Sequence, residues 1–428
     1  MKDIMQDTSI KKIALAYSGG LDTSIIIHWL KEHFKGAEII AICTNVGQDE
    51  DWDGMEQKAL KSGASKFYLK DLRDELAGDY IYPMLRAGAL YEGRYMLGTS
   101  IARPIQAKYQ VDIALEEGCD ALAHGCTGKG NDQVRFELTY KALAPHLKVI
   151  APWRHWDIGS REDAIDYANA RGIDLGTISK KNIYSRDWNI WHMSHEGAEL
   201  EDPWTRPLES MFMLTKSPKD APDKETEITL EFEKGLPVGM NGKKMKPYAL
   251  LTELNKVAAD NGVGRTDIVE TRLVGMKSRG VYETPGGTVL YAALHDLEML
   301  TINSDALHLK HKMAVDYSDL VYAGKWYTTA RYALDAMVEK TTEFTTGTVK
   351  LALYKGNVII TGRKSPYALY LEDLASFGET SYDHHDAEGF INLYGLATGV
   401  TAMVQNKLKD DSGQAIKMKS MAASFHDK

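Results

Sequence analysis

Ala16-Tyr-Ser-Gly-Gly-Leu-Asp-Thr-Ser24, AYSGGLDTS, joins an apolar run to a helical pattern. Before it, Ile13-Ala-Leu-Ala-Tyr17 reads as a short buried strand; after it, Ile25, Ile26, Trp29, Leu30 and His33 fall at helical spacing. Ile39-Ile-Ala-Ile-Cys43 reads as the next strand, which makes a βαβ unit whose parallel strands require a crossover helix. The pattern returns further on. Pro104 opens a helix through Val111 and Leu115, Gly118 ends it, and Asp120-Ala-Leu-Ala-His124 is a strand entering a second glycine-rich turn. Alternation of this kind predicts an α/β domain with a doubly wound parallel sheet.

Ligands of such sheets sit outside the carboxyl ends of the strands, where helix N-termini offer unpaired N–H groups to anions. In the stretch Ser18 to Ser24, Gly19 and Gly20 allow close backbone approach, while Ser18, Thr23 and Ser24 add hydroxyls. This reads as a phosphate cradle; the rival reading is an ordinary turn with Asp22 or Thr23 as helix cap. It is neither a Rossmann G-x-G-x-x-G nor a P-loop, because no lysine lies between Ser18 and Ile27. Lys129 does not supply one: Ala123 stands at the first glycine position and Gly130 replaces the Ser/Thr. A cradle without that lysine suits a departing pyrophosphate better than γ-phosphoryl transfer, which directs attack to the α-phosphate.

After Lys216-Ser-Pro-Lys-Asp-Ala-Pro-Asp-Lys224, taken as a connection between domains or subdomains, the alternation stops. Ile228, Leu230 and Phe232 share one face of a strand, Tyr248 to Ala259 reads as a helix, and Val349–Tyr354 pairs with Val358–Thr361 across Lys355-Gly-Asn357. A second, α+β domain is expected, followed by a charged, methionine-rich tail that is a helical arm on a neighbouring subunit or a mobile end. The 428 residues therefore divide as 1–178, 179–405 and 406–428.

Hydrophobic content of 44% with 26% charged residues is that of a globular chain, and a net charge of −9 disfavours a broad grip on nucleic acid. The apolar region Phe390 to Val404 is too interrupted to span a membrane, and the N-terminal stretch lacks the apolar segment of a signal peptide. Three unpaired cysteines, Cys43, Cys119 and Cys126, fit a reducing cytoplasm.

The string His124-Gly-Cys-Thr-Gly-Lys-Gly-Asn-Asp132, continued by Gln133-Val-Arg-Phe-Glu137, collects polar groups suited to a zwitterion: Arg135 for a carboxylate, Asp132 for an ammonium, Thr127 and Asn131 for either. A solvated loop is its local rival. AYSGGLDTS looks like the pyrophosphate loop of the N-type ATP pyrophosphatases. HGCTGKGNDQVRFE resembles the signature of the argininosuccinate synthase family, as do ALYEGRYMLGTSIARP from Ala89, VIAPWR from Val149 and DIVETRLVGMKSRGVYETPGG from Asp267. Cys126 and Gly93 depart from residues common in relatives, at positions without an assigned role.

The resemblance implies that Ala16, Tyr17, Ser18, Gly19, Gly20, Leu21, Asp22, Thr23 and Ser24, with Ala41 and Gly125, hold ATP. It implies that Thr127, Asn131 and Asp132 hold aspartate, and that Tyr95, Ser100, Asn131, Arg135, Ser185, Ser194, Glu270 and Tyr282 hold citrulline. The chemistry it implies is adenylation of the citrulline ureido oxygen with loss of pyrophosphate, then attack by the aspartate amine to give argininosuccinate and AMP. Asp22 and Ser24 serve the first step and Asp132 orients the amine; no general base is named. Mg2+ travels with ATP and pyrophosphate, no metal ligand is assigned, and a cytoplasmic homotetramer that binds neither nucleic acid nor membrane is expected. Arginine biosynthesis or a urea-forming cycle is the setting.

Other features have ordinary readings. His192, His195, Glu196 and Glu199 have the spacing of a polar helix face, Tyr382-Asp-His-His-Asp386 that of a polar loop, and Lys310-His-Lys312 and Lys407-Leu-Lys-Asp-Asp that of solvated charge. Cys119 and Cys126 read as small buried residues, and Trp188 and Trp191 as core or pocket wall. Two competing functions are a tRNA thiolase of the same superfamily and a non-catalytic ATP sensor.

Overall fold

A computed structural model describes residue 4 and residues 7–128, 130–159, 161–173, 184–375 and 383–406. Strands β1 (Lys12–Ala16), β2 (Glu38–Asn45), β3 (Lys66–Asp71), β4 (Ala121–Ala123) and β5 (Lys148–Ile150) form a parallel sheet in the order β3-β2-β1-β4-β5. Helices α1 (Leu21–His33), α2 (Trp52–Lys61), α3 (Arg73–Glu75), α4 (Tyr82–Arg86), α5 (Gly98–Glu116), α6 (Asp132–Leu143) and α7 (Arg161–Ala170) lie between or after them. Side chains alternate across a strand, so Ile13 and Leu15 pack with Ile26 and Leu30 of α1 on one face. Ala14 and Leu122 pack with Val111 and Tyr140 of α5 and α6 on the other. Both faces are thereby covered, which is the doubly wound arrangement expected.

One boundary differs. Helix α5 begins at Gly98, so Pro104 lies inside it rather than opening it. The proline has no N–H to give the Ser100 carbonyl, but burial of Ile101, Ala102 and Ile105 on one face, and of Ala107 and Val111 on another, carries the helix through this lost bond. Gly118, at φ +66°, ends it as expected.

Beyond the parallel sheet, β6 (Ser185–Trp188), β7 (Met193–Glu196), β11 (Arg265–Thr271) and β12 (Lys277–Glu283) form an antiparallel sheet in the order β11-β12-β7-β6. A second antiparallel sheet, β10-β9-β8-β13-β14, comprises β8 (Thr226–Glu233), β9 (Leu236–Met240), β10 (Lys243–Lys244), β13 (Gly347–Tyr354) and β14 (Asn357–Lys364). Ile228, Leu230 and Phe232 face its core together, against α8 (Pro247–Asp260) and α9 (Pro285–Thr301). Helices α10 (Ser304–Tyr322) and α11 (Thr329–Thr341) complete this lobe, which is α+β as read from the sequence. The Lys216–Lys224 segment joins the two antiparallel sheets and is packed: Ala221 is buried, and the Lys216 N–H donates to the Ala259 carbonyl at 3.0 Å.

Two surface readings are corrected. Lys310 is buried between α9 and α10, its ammonium 2.9 Å from the buried Glu298 carboxylate, and is not solvated charge. His192 and His195 belong to β7 and the turn before it rather than to a helix face; both are buried, with His195 Nε2 2.8 Å from Glu283.

The chain divides into two compact units, Met1–Leu369 and Tyr370–Lys428, the first of which holds all three sheets. In the second, α12 (Glu372–Ala375), α13 (His385–Tyr394) and α14 (Leu396–Asn406) are described. His385 opens α13, so the Tyr382–Asp386 stretch is in part a helix start; Tyr382 itself lies outside the described residues. So do Lys129, residues 174–183 with the expected boundary at 178, and the tail 407–428 with its lysine cluster. Among the described residues no helix is long and apolar enough to cross a membrane.

Candidate active site

The turn after β1 keeps the N-terminus of α1 open. Gly20 is the cap residue, extended at φ −72° and ψ 174°, and no side chain caps it. Asp22 and Thr23 lie in the first helical turn instead, so the ordinary capped-turn reading does not hold. First-turn N–H groups and the helix field therefore favour an anion here. The hydroxyls shape the turn: Ser24 Oγ donates to the Gly20 carbonyl at 2.9 Å, Thr23 Oγ1 to the same oxygen at 3.3 Å, and Ser18 Oγ lies 3.2 Å from Thr23 Oγ1.

Gly19 has φ +72°, a conformation that favours glycine, and a Cβ there would fall 2.3 Å from Met55 Sδ, so Met55 would have to move. Gly125, after β4, sits against α1, where a Cβ would lie 3.0 Å from Ile26 Cδ1. The structure thus brings Ala16 to Ser24 and Gly125 together at the carboxyl ends of β1 and β4, neighbouring strands of the parallel sheet. Ala41 lies inside β2, paired with Leu15 and fully buried. A lysine unseen in the motif also reaches the turn: Lys58 of α2 donates from Nζ to the Gly19 carbonyl.

A second constellation joins α5 and α6 to the β11-β12-β7-β6 sheet. Arg103 donates from Nε to Asp132 Oδ2 at 2.9 Å and from Nη2 to Asp187 Oδ1 at 2.8 Å. Asp132 Oδ1 accepts from Arg135 Nη1 at 2.9 Å, which makes a continuous run of alternating charge. Asn131 is buried, its Nδ2 donating to Tyr322 Oη at 2.9 Å and its Oδ1 accepting from the Leu273 N–H at 2.9 Å. Tyr322 in turn donates to Glu270 Oε1 at 3.1 Å, and its carbonyl accepts from Arg135 Nε at 2.9 Å. Tyr95 packs on Tyr282 with ring centroids 4.7 Å apart and edge-on to Tyr322 at 6.1 Å.

Ser194 stands opposite Tyr282 in the β7–β12 register, and its Oγ accepts from the Asp187 N–H at 3.2 Å. Ser185 is exposed at the start of β6 opposite Glu196, and Thr127 is exposed beside Gly130. Among the described residues, three buried oxygens of this constellation and the start of α5, Ser100 Oγ, Asp187 Oδ2 and Glu270 Oε2, make no hydrogen bond. Buried polar groups are normally paired, so these oxygens are candidate ligand contacts.

Burial raises the Glu270 carboxyl to about 7, with Arg135 and the Tyr322 hydrogen bond opposing and Glu196 adding to the rise. Burial also raises Glu196, although Arg272 pairs with it at 2.6 Å. Burial would raise Asp187 too, but Arg103 and His192 hold it well below the usual carboxylate range. Burial thus raises two carboxyls, Glu270 and Glu196, while Asp187 is held charged. Away from it, His295, Glu298 and His311 bring ligand atoms within 4.8 Å of one another, but Lys310 already neutralises Glu298.

Arg103, Asp187, Tyr322 and Lys58 went unnoticed in the sequence. Arg103 stands in the quoted SIARP string, but in a stretch read as preceding its helix.

The sequence model described as "Arginosuccinate synthase N-terminal HUP domain" matches residues 12–174, and that described as "Arginosuccinate synthase C-terminal domain" matches residues 184–401. Argininosuccinate synthase from Roseiflexus sp. strain RS-1 is 55% identical over 403 residues, covering 94% of this chain and 99% of the relative. That from Acetivibrio thermocellus is 57% identical over 401 residues, 93% and 98% of the two chains. The chloroplastic enzyme of Arabidopsis thaliana is 54% identical over 398 residues, 92% and 80%. Among solved structures, the U34-tRNA thiolase NcsA from Methanococcus maripaludis matches 40% of this chain and 60% of its own, with 19% identity and a TM-score of 0.27.

Proposed function

The chain belongs to the argininosuccinate synthase family, and from that premise we propose which of its groups hold each reactant. The reaction is the ATP-dependent ligation of L-citrulline and L-aspartate to argininosuccinate, with AMP and pyrophosphate released by way of a citrullyl-adenylate, and it serves arginine biosynthesis.

A ureido carbon resists amine attack because its oxygen leaves poorly. The oxygen first attacks the α-phosphorus of ATP; a new O–P bond forms, the bond to the β-phosphate bridge breaks, and pyrophosphate leaves with its electron pair. We assign ATP to Ala16–Ser24 and Gly125, because the uncapped N-terminus of α1 and the glycine turn face the crevice beyond β1 and β4. Mg2+ enters as part of the MgATP substrate. Ala41 belongs to this set through its strand alone.

Citrulline lies against Tyr95, Ser100, Asn131, Arg135, Ser194, Glu270 and Tyr282, with Ser185 at the rim. The observation that supports this reading is that buried oxygens of two of these residues, Ser100 Oγ and Glu270 Oε2, make no hydrogen bond among the described residues. Arg135 suits the citrulline carboxylate and Glu270 its ammonium. Aspartate is assigned to Thr127, Asn131 and Asp132, beside that ring.

Its neutral amine attacks the adenylated carbon; the C–N bond forms, AMP leaves with the C–O electron pair, and the nitrogen gives up a proton. Asp132, fixed between two guanidinium groups, orients the amine. Positioning of three reactants supplies the largest share of the acceleration, for which well-oriented groups contribute about 7–11 kcal/mol.

The test is AMP and pyrophosphate release from MgATP with both amino acids and with each omitted in turn. AMP release that requires both and equals argininosuccinate formed supports the reading; release independent of citrulline overturns it. The homotetramer, the cytoplasmic setting, the three-part division at 178 and 405 and any role in a urea-forming cycle belong to the same proposal. For the tetramer the support is the exposed apolar surface of α13 and α14.

A further inference from the structure

The glycine turn contains no lysine, yet a lysine stands on it. Helix α2 docks one face on the turn. Met55 is buried with its sulfur in the space beside Gly19, and one helical turn later Lys58 places its ammonium on the Gly19 carbonyl. Residues three apart share a helix face, so the packing of Met55 fixes where Lys58 points. Among the described residues Lys58 is engaged by this neutral acceptor and forms no ion pair. Glu50, whose ionisation it favours, is itself pushed up by burial. A half-buried cation held by a carbonyl, one residue before the cap of a helix whose N-terminus is open, has charge left to give an anion.

We propose that Lys58 is the pyrophosphate-binding lysine of this site, delivered by a separate helix rather than by the turn itself. This rests on the reading of Ser18–Ser24 as the pyrophosphate turn. As the bond between the α-phosphorus and the bridging oxygen breaks, its electron pair goes to the departing pyrophosphate. Lys58 exchanges the Gly19 carbonyl for that oxygen-rich anion and stabilises the growing charge. A charge-assisted bond replaces a neutral one, so the gain is larger in the transition state than in the resting turn. The reacting oxygen, the α-phosphate and the amine attack belong to other residues.

The full-length chain is tested as wild type, K58Q, K58R and S24A. The two readouts are ATP–pyrophosphate exchange, supported by citrulline in the absence of aspartate, and the inhibition constant of pyrophosphate. Lys58→Gln removes the charge while leaving an N–H donor, on a side chain one bond shorter, on the side of the Gly19 carbonyl. Exchange slowed about tenfold or more, with pyrophosphate inhibition weakened to match, is expected. Melting temperature should remain at the wild-type value, and K58R should recover part of the loss. Wild-type exchange and inhibition in K58Q, with S24A impaired, overturn the role of Lys58 and leave the turn's role standing. Both variants at wild-type rates overturn the turn and Lys58 together. Lower melting temperature in K58Q with an unchanged pyrophosphate constant reduces Lys58 to a structural contact and also overturns the proposal.

Discussion

Glu270 titrates near 7, far above the ordinary carboxylate value of 4.5, because burial disfavours its charged form. If its carboxylate holds the citrulline ammonium, the KM for citrulline falls as pH rises through about 7 and E270Q abolishes that dependence; initial rates across the range check it. The stability effect has the opposite sense. Between 4.5 and about 7 the folded chain keeps a proton that the unfolded chain has lost, so this group's contribution to stability declines as pH rises across that window. Arg103 offers a second residue-scale test. R103M leaves Asp132 and Asp187 facing one another without their shared cation. It should cost about 2 kcal/mol or more of stability and raise the KM for aspartate at least tenfold, read by denaturant melts and initial rates. Asn131, Asp132 and Arg135 were legible because one short string holds all three. Their partners were not: Lys58 meets Gly19 across 39 positions, Arg103 meets Asp132 across 29, and Tyr322 meets Asn131 across 191. Periodicity carries no information at those separations.

At the scale of elements, the junction of α10 with α6 decides whether the proposed amino-acid site closes. Gly324 follows α10 at φ +72°, and a Cβ there would lie 2.5 Å from the Cα of Arg135, a backbone atom that cannot step aside. Gly324→Ala must therefore push the end of α10 off α6 and draw Tyr322 away from Asn131 and Glu270. Citrulline affinity should fall about tenfold or more, while ATP binding, which we assign to the turn after β1, should remain near wild type. Calorimetric titration of each ligand distinguishes the two. Elements with strong local patterns, such as β1, α1, β2, β8 and the β13–β14 hairpin, were legible because alternation or helical spacing marks the buried face. The start of α5 was not, since tertiary burial overrode the proline signal. Nor were β7 and the turn before it, where His192 and His195 sit at a spacing of three that suits a helix but are held by Thr99 and Glu283.

For the whole molecule, the question is what covers the second compact unit. Phe390, Ile391, Leu393 and Tyr394 of α13, with Leu396 and Val404 of α14, are at least half exposed. Helices of 10 and 11 residues are too short to persist in water on propensity alone, so their apolar side chains need a surface to bury against. A second copy of the chain supplies one in the proposed homotetramer, whereas the sequence left the charged tail beyond 406 between an arm and a mobile end and did not single out these helices. L393D with Y394D places two carboxylates on that surface while leaving the three sheets of the first unit untouched. Burying them against a neighbour without a partner cation costs several kcal/mol per contact, so assembly rather than folding should fail. Sedimentation at several protein concentrations should show a smaller species than wild type, with strand and helix content unchanged by circular dichroism. A variant that sediments as the wild type does would place the subunit contacts elsewhere on the chain.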